Sequence, residues 1–216
     1  MTSERFEVRE ALTKRVSNAG LSLSTSVLGS LAVYFELLRK WNRRLSLTSL
    51  PVETLGDEAI DRLVVEPLLA CRYLPKGNAV VVDVGSGGGS PAIPMRIVTP
   101  EIVMIMTESR GRKAAFLREA VRVLGLERTS VRTGRFEELR TDQTLQSSVD
   151  VITVRAVRID AATVDTARSL LKLGGSLCLF ASDVARRDEF GAQLIHRIHF
   201  KLLPDRSYLD IFRRIG

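Results

Sequence analysis

The sequence contains little cysteine and little histidine, and this scarcity excludes several classes of protein. Among its 216 residues are two cysteines, Cys71 and Cys178, in a helical and a strand-like pattern. We expect two buried free thiols rather than a disulfide. The two histidines, His196 and His199, both lie in the C-terminal part. Since no cysteine or histidine cluster has metal-ligand spacing, we expect no metal site.

Long apolar runs are also missing. No segment approaches the roughly 18–20 apolar residues that a membrane-spanning helix requires. Residues 1–7 lack the apolar core of a secretory signal peptide. We therefore expect a cytoplasmic protein without a membrane partner. We also expect a monomer. Apolar residues make up 45% of the chain, enough for a full globular core, and the length suits one domain with an extension.

What the chain has in excess is positive charge, supplied mostly by arginine. Its net charge is +7, and only six of the 32 basic residues are lysines. Such a balance favours a polyanionic partner such as nucleic acid, because arginine makes two-pronged contacts with phosphate. The alternative is a GC-rich genome that encodes arginine in place of lysine on solvated faces.

The first 75 residues are predicted to form a helical extension. Helical patterns cover residues 4–20, 26–45 and about 57–73. In the second pattern, apolar residues recur every three or four positions and form one stripe, with basic residues largely off it. The residues of the stripe are Leu31, Tyr34, Leu38, Trp41 and Leu45.

From residue 79 onwards the pattern changes to alternating strands and helices. The continuous β-branched run Ala79–Val84 is typical of a strand buried on both faces of a parallel sheet. The alternation predicts an α/β domain at 76–216 with a doubly wound, mostly parallel sheet and an antiparallel C-terminal strand. Further strands are predicted at 103–106, 130–133, 149–154, 176–180, 198–203 and 208–212, and helices at 111–124, 161–171 (closed by Gly174-Gly175) and 183–196.

A glycine-rich loop, Asp83–Pro91, follows the first strand of this domain. Gly85, Gly87 and Gly89 allow the backbone to approach a ligand where a Cβ atom would clash, and the next helix would direct its free N–H groups at that ligand. A dinucleotide fold would have its third glycine where Ser90 stands, so the spacing argues for a ligand smaller than a dinucleotide. A tight turn without a ligand is the alternative.

Three further segments follow the next three strands, at the same edge of the sheet. Glu108, 21 residues after Gly87, could accept hydrogen bonds from both hydroxyls of a ribose, or stabilise the start of the next helix. Phe136 and Glu137 could contact an adenine edge, or belong to a short surface helix. Arg155 could pair with a cofactor carboxylate or a substrate phosphate, or form an ion pair within the fold.

Four motifs then occur in a familiar order. They are D-V-G-S-G-G-G at 83–89, E-S-x-G-R-K-x-A-F-L at 108–117, G-R-F-E-E at 134–138 and R-A-V at 155–157. With L-L-R-K-W-N-R-R-L-S-L-T at 37–48, they resemble the GidB family, also called RsmG, of small-subunit ribosomal RNA guanine-N7 methyltransferases. The resemblance covers roughly residues 30–182.

The resemblance implies a Rossmann-like class I methyltransferase that uses S-adenosylmethionine and acts on ribosomal RNA or the small ribosomal subunit. Guanine N7 carries a lone pair and no proton, so no general base is required, and Arg155 is the residue to which we assign a catalytic, orienting role. The expected cofactor-binding residues are Asp83, Gly85, Gly87, Gly89, Ser90, Glu108, Phe136, Glu137 and Arg155. The expected RNA-binding residues are Arg39, Lys40, Asn42, Arg43 and Arg44.

The chain also departs from that family in several places. Val64–Leu68 stands where the family has a His-x-x-Asp-Ser segment, and Ala92 follows Pro91 where the family has glycine. The fifth strand ends Phe180-Ala181 rather than Lys-Gly, and the usual basic, proline-containing tail is missing. Because several departures could touch the substrate side, a small-molecule methyltransferase and a non-catalytic, cofactor-binding RNA-associated protein are the alternative interpretations.

Overall fold

Helices occupy the chain before the first strand. The computed structural model describes residues 3–181, 193–200 and 207–215. The predicted N-terminal helices are confirmed, and the third is a composite of several helical turns. The segments are α1 (Ser3–Asn18), α2 (Thr25–Leu45), a 3-10 turn (Val52–Thr54), α3 (Asp57–Ile60), a π-helical turn (Asp61–Val65), α4 (Glu66–Ala70) and a 3-10 turn (Cys71–Tyr73).

The long helix α2 begins and ends at residues suited to those positions. The Ser24 hydroxyl accepts a hydrogen bond from the Val27 N–H, and the left-handed residue Ser46 ends the helix by donating its N–H to the Asn42 carbonyl. The predicted apolar stripe packs inwards, and the Trp41 ring meets that of Phe116 at 5.8 Å. The helical extension therefore shares one hydrophobic core with the rest of the molecule.

In the described part of the chain, seven strands form a single sheet in the order β3-β2-β1-β4-β5-β7-β6, in which β7 runs antiparallel to both of its neighbours. This confirms the doubly wound, mostly parallel α/β fold. The strands are β1 (Val80–Val84), β2 (Val103–Glu108), β3 (Thr129–Thr133), β4 (Val149–Arg155), β5 (Leu171–Ala181), β6 (Gln193–Phe200) and β7 (Ser207–Arg213). The helices between them are α5 (Ala92–Val98), α6 (Gly111–Leu124) and α7 (Ala161–Leu170).

The two faces of the sheet carry separate hydrophobic cores. Val81 belongs to the core that includes helices α1–α6, whereas its neighbour Val82 belongs to the core that includes α7 and the turn after β3, as the two-residue alternation of a strand requires. The order of the strands reverses between β1 and β4, and ligands of such sheets bind at the carboxyl ends of the strands beside this reversal. No helix of the described residues is long and apolar enough to cross a membrane.

Two predicted boundaries near the C-terminus are wrong. Strand β5 begins at Leu171, so Gly174-Gly175 lies within a strand instead of closing a helix. A Cβ atom on Gly175 would stand only 3.0 Å from the Val149 carbonyl oxygen, which indicates close strand contact at an irregular register. Residues 193–196, predicted as the end of a helix, pair with β7 as part of β6. Residues 182–192 and 201–206 lie outside the described part.

A buried ion pair fastens α1 to the π-helical turn. The Arg15 guanidinium donates to both carboxylate oxygens of Asp61, at 2.9 Å and 2.5 Å, and to Asp57 at 2.9 Å. The Asp61 side chain is only 1% exposed. Burial raises the pKa of Asp61 although Arg15 opposes the shift. Without Arg15 this carboxylate would lie in the interior with little compensation for its charge.

We expect Arg15→Met to lower the free energy of unfolding by about 3–5 kcal/mol at neutral pH, because the substitution leaves Asp61 buried and unpaired. A carboxyl whose folded-state pKa is raised penalises the folded state above its unfolded-state pKa, and protonation removes the penalty. The deficit should therefore shrink as the pH falls. Urea unfolding of variant and parent at about pH 8 and about pH 5 measures it.

The exposed pair Arg122–Glu119 on α6 supplies the control, because Arg122→Met removes a solvated arginine. An exposed pair contributes only about 0–1 kcal/mol. An Arg15→Met deficit as small as that of the control, or one that grows on acidification, would contradict the assignment.

Candidate functional site

A cavity of about 520 Å³ lies at the carboxyl ends of β1, β2 and β4. Five residues predicted from the sequence line it, namely Gly85, Gly87, Ser90, Glu108 and Arg155. Sequence reasoning missed other lining residues, among them Ser46–Ser49, Leu63, Arg110, Lys113 and Val157. The loop after β1 and the ends of two neighbouring strands thus meet a wall contributed by the N-terminal helices.

Glycines shape the loop after β1 because their neighbours leave no room for a side chain. Gly85 has φ +63°, and a Cβ atom there would stand 2.6 Å from a methyl group of Val157. Gly89 has φ +87°, and its Cβ atom would stand 2.5 Å from Ile93 of α5. Gly89 does not line the cavity, so its role in the structure is to let the loop pack on α5.

Glu108 joins the loop after β1 to the segment after β2. Its Oε2 atom accepts a hydrogen bond from the Gly87 N–H at 3.0 Å, and its Oε1 atom accepts one from the Arg110 N–H at 2.8 Å. The residue is 6% exposed and lines the cavity. Since each carboxylate oxygen has two lone pairs, both can accept a further hydrogen bond from a ligand hydroxyl.

Asp83 is buried at the end of β1, behind the cavity. Its Oδ1 atom accepts a hydrogen bond from the Thr153 hydroxyl at 2.6 Å, while Oδ2 is buried without a partner in the described structure. Burial raises the pKa of Asp83 to about 6, although the nearby Ser86 hydroxyl, the hydrogen bond from Thr153 and the charge of Arg155 favour the ionised form. Asp83 does not line the cavity itself.

Arg155, at the end of β4, is held by groups of the N-terminal helices. One terminal nitrogen donates to Glu66 Oε2 at 2.8 Å, and the other donates to the Arg62 main-chain carbonyl. The guanidinium lies 4.6 Å from the Phe180 ring centre. The ion pair within the fold that the sequence left open is therefore present. Arg155 nevertheless lines the cavity, and its Nε–H is buried and has no hydrogen-bond partner among the described residues.

Phe136 and Glu137 lie in a 3-10 turn, Phe136–Thr141, that follows β3. Phe136 is buried in the core on the α7 side of the sheet. Glu137 accepts a hydrogen bond from the Thr163 hydroxyl at 3.1 Å. Neither residue lines the cavity, so adenine binding by these two residues remains a prediction.

The basic face of α2 is divided between paired and solvated cations. Arg39 donates to the Glu53 carbonyl and Arg43 to the Glu53 carboxylate, and both line a separate groove of about 420 Å³ together with Lys40. Lys40 and Arg44 have no ion pair within the described ranges. Whether this face contacts RNA remains a prediction.

Asn42 connects α2 to the cavity. Its side-chain oxygen accepts a hydrogen bond from the Thr48 N–H at 2.9 Å, and this bond holds the loop Ser46–Ser49 that lines the cavity. In the sequence, only the L-x-L-T end of the motif at 37–48 indicated this loop.

Throughout the described residues, no group of three or more histidine, cysteine or acidic side chains could hold a metal ion.

The chain matches a known family over most of its length. The family is GidB, described as rRNA small subunit methyltransferase G, and the match covers residues 28–192. The "Ribosomal RNA small subunit methyltransferase G" of Halorhodospira halophila is 35% identical over 170 residues, which cover 78% of this chain and 76% of the relative. The protein of the same name from Neisseria meningitidis serogroup B is 35% identical over 173 residues, covering 79% and 78%.

Solved structures with the same fold are more distant in sequence. TrmN from Thermus thermophilus superposes with a TM-score of 0.57 at 16% identity, covering 70% of this chain and 48% of that protein. A SAM-dependent O-methyltransferase from Thermotoga maritima superposes with a TM-score of 0.53 at 16% identity, covering 70% and 65%. These likenesses support the Rossmann-like methyltransferase fold.

We expect Asp83→Asn to remove a pH dependence from the stability of the ligand-free protein. With a folded-state pKa of about 6, Asp83 holds its proton in the native state after the unfolded chain has released it, so stability falls as the pH rises between about 4 and 6. An asparagine still accepts the Thr153 hydrogen bond but does not titrate. The free energy of unfolding of Asp83→Asn, relative to that of the parent, should rise by about 3 kcal/mol between about pH 4 and pH 7.

Urea unfolding across this pH range measures the difference, and Asp165→Asn on the exposed face of α7 controls for the substitution itself. A stability difference between Asp83→Asn and the parent that stays constant with pH would show that Asp83 ionises as easily in the folded protein as in the unfolded chain.

Proposed function

Because this chain belongs to the GidB family of rRNA small subunit methyltransferases, we propose that it transfers a methyl group from S-adenosylmethionine to N7 of a guanine in small-subunit ribosomal RNA. The observation that carries the proposal is the cavity at the strand reversal, where the glycine loop, Glu108 and Arg155 meet. The same cavity is bordered by solvated cations that suit an RNA substrate.

The cavity and the residues directly behind it offer groups complementary to the ribose, the carboxylate and the positive charge of S-adenosylmethionine. The Glu108 carboxylate suits the two ribose hydroxyls, and the buried Nε–H of Arg155 suits the carboxylate of the methionine part. Ser90 adds a buried hydroxyl that has no protein partner in the described structure. The unpartnered Oδ2 of Asp83 supplies negative charge behind the loop, favourable to a cation bound in front of it.

The adenine part has less support than the other parts of the cofactor. We keep Phe136 and Glu137 as its proposed contacts because they follow β3, whose carboxyl end lies beside that of β2 in the parallel sheet. The residues at this edge of the sheet are the ones that ligands of doubly wound folds contact.

The proposed reaction depends more on the alignment of the methyl donor with the guanine than on acid–base catalysis. S-adenosylmethionine supplies a methyl group on a positively charged sulfur, which is already a good leaving group. Guanine N7 presents a lone pair in the plane of the base and carries no proton to be removed. The work of the chain is then to hold donor and base in line and to exclude water, as Arg155, the glycine loop and the loop Ser46–Ser49 are placed to do.

The substrate side of the proposal rests on cations without ion-pair partners. Arg110 and Lys113 line the cavity at the start of α6, and Lys40 and Arg44 lie on α2, which packs against α6. None of the four forms an ion pair within the described part of the chain. We propose that these residues contact RNA phosphates, whereas Arg39 and Arg43 share the Glu53 groups that partly neutralise them.

We expect the purified protein to methylate small-subunit ribosomal RNA, supplied as free RNA and as assembled subunits from cells that lack this gene. Nucleoside mass spectrometry should detect 7-methylguanosine that is absent before the reaction. Methylation of another atom would refute the N7 assignment. Cofactor binding without methyl transfer to either substrate would indicate the non-catalytic alternative.

The Glu108→Gln variant links the reaction to the proposed cavity. Loss of the charged acceptor of the ribose hydroxyls should weaken S-adenosylmethionine binding about 10–100-fold, since a hydrogen bond to a charged group contributes about 1.5–3 kcal/mol. Isothermal titration calorimetry measures the Kd. Glu119→Gln, on α6 outside the cavity, is the matched control. Equal affinities for the two variants would refute the ribose assignment.

We expect the double variant Arg110→Gln, Lys113→Gln to bind RNA more weakly and with a shallower salt dependence. Each phosphate contact contributes about 0.7 to the slope of log K against log salt for a single strand, so two lost contacts lower the slope by about 1.4. Filter binding at several salt concentrations measures it. Arg122→Gln, a solvated and paired cation on the same helix, should leave the slope unchanged, and an equal slope for both variants would exclude Arg110 and Lys113 from the RNA surface.

A further inference from the structure

Glu66 lies behind the cofactor cavity on the segment that holds Arg155. Its Oε2 atom accepts a hydrogen bond from the Arg155 guanidinium at 2.8 Å, and the residue is only 4% exposed. We propose that Glu66 is a positioning residue, which fixes the orientation of Arg155 in the cavity and thereby sets the affinity for S-adenosylmethionine. The inference rests on the proposed function, because it takes the cavity to be the cofactor site.

The helix geometry around Glu66 supplies a second anchor for Arg155. In a regular α-helix the Arg62 carbonyl would accept the Glu66 N–H, but in the π-helical turn that N–H is donated to the Asp61 carbonyl. The next residue, Pro67, has no N–H to offer. The Arg62 carbonyl is thus free to accept a hydrogen bond from the Arg155 guanidinium. Single π-helical turns of this kind occur frequently at functional sites.

Two anchors on a planar group determine the direction of its remaining donors. A guanidinium has five N–H bonds in one plane, and the Arg62 carbonyl and the Glu66 carboxylate each hold one terminal nitrogen of Arg155. The Phe180 ring 4.6 Å from the guanidinium carbon packs against the group as well. The Nε–H, which has no protein partner in the described structure, is then presented in a fixed direction. A pre-oriented donor of this kind binds a carboxylate without first losing side-chain freedom.

Charge balance gives Glu66 a role that a neutral hydrogen-bond acceptor would not fill. Arg155 has a side chain 12% exposed, and a buried guanidinium needs an opposite charge nearby. Arg62 lies 3.9 Å from the other oxygen of Glu66 and adds positive charge, whereas Asp83 acts on Arg155 as a further negative charge. Glu66 is the acid in direct contact with the Arg155 guanidinium, so its loss would change both the charge and the orientation of Arg155.

The chain provides a matched control in the same segment. Asp61, at the start of the π-helical turn, is also buried and also pairs with an arginine, but that arginine is Arg15 of α1. Neither Asp61 nor Arg15 lines the cofactor cavity. Loss of either acid removes a buried ion pair from the same stretch of helix, yet only Glu66 contacts a residue of the cavity.

The test is a double-mutant cycle on the Kd for S-adenosylmethionine, with Glu66→Ala, Arg155→Ala, the double variant and Asp61→Ala. We expect Glu66→Ala and Arg155→Ala each to weaken binding about 10–100-fold, as for the loss of a charged hydrogen bond. If Glu66 acts through Arg155, the double variant should bind no more weakly than Arg155→Ala alone. Asp61→Ala should lower the unfolding midpoint while its Kd stays within about twofold of the parent.

Glu66→Gln keeps the inference testable if Glu66→Ala does not fold. The amide oxygen retains an acceptor for Arg155 without the charge, so this conservative variant should recover part of the lost affinity. Wild-type affinity in folded Glu66→Ala or Glu66→Gln, or losses that multiply in the double variant, would overturn the inference and leave the proposed function intact. Failure of the parent protein itself to bind S-adenosylmethionine would instead overturn the proposed function.

Discussion

The ion pair between Glu66 and Arg155 joins two parts of the chain that lie 89 residues apart, the N-terminal helices and the carboxyl edge of the sheet. The Tyr34 hydroxyl strengthens the same connection by donating to the Gly88 carbonyl at 2.8 Å. Because of these contacts, the helices before residue 75 form part of the cavity rather than an appendage of the sheet domain. An RNA bound to the basic face of α2 would therefore rest on a helix that also shapes this cavity.

The same edge of the sheet concentrates buried charge. Asp83, Glu108 and Arg155 each follow or end a different parallel strand, and each is largely removed from solvent. Glu108 is stabilised by two backbone N–H groups, whereas Asp83 has one hydroxyl partner and a raised pKa. A cationic ligand near Asp83 would favour its ionised form and reduce the cost of burying it. The positively charged sulfur compound of the proposed function would supply such a charge.

Much of this arrangement could be predicted from the sequence, because it follows from local patterns. The β-branched run before Asp83 predicted the first strand. The interval from Gly87 to Glu108 predicted an acidic residue at the end of the second strand. The start of β5 was harder to predict, because Gly174-Gly175 resembles the end of a helix in the sequence. In the structure, Gly175 allows close contact between strands instead. The partner of Arg155 could not be predicted from the sequence, because a contact between residues 89 positions apart depends on how the helices pack.

The segment Val64–Leu68 shows how a departure in sequence can be weighed by structure. It lacks the His-x-x-Asp-Ser pattern of the family, and that absence favoured a small-molecule substrate in the sequence alone. In the folded chain, however, this segment contains Glu66 and Pro67, whose charge and missing N–H leave Arg155 with two acceptors. The altered residues therefore influence the cavity through Arg155, which lines it. A change on that side does not by itself argue against an RNA substrate, and the solvated cations Arg110 and Lys113 at the cavity continue to favour one.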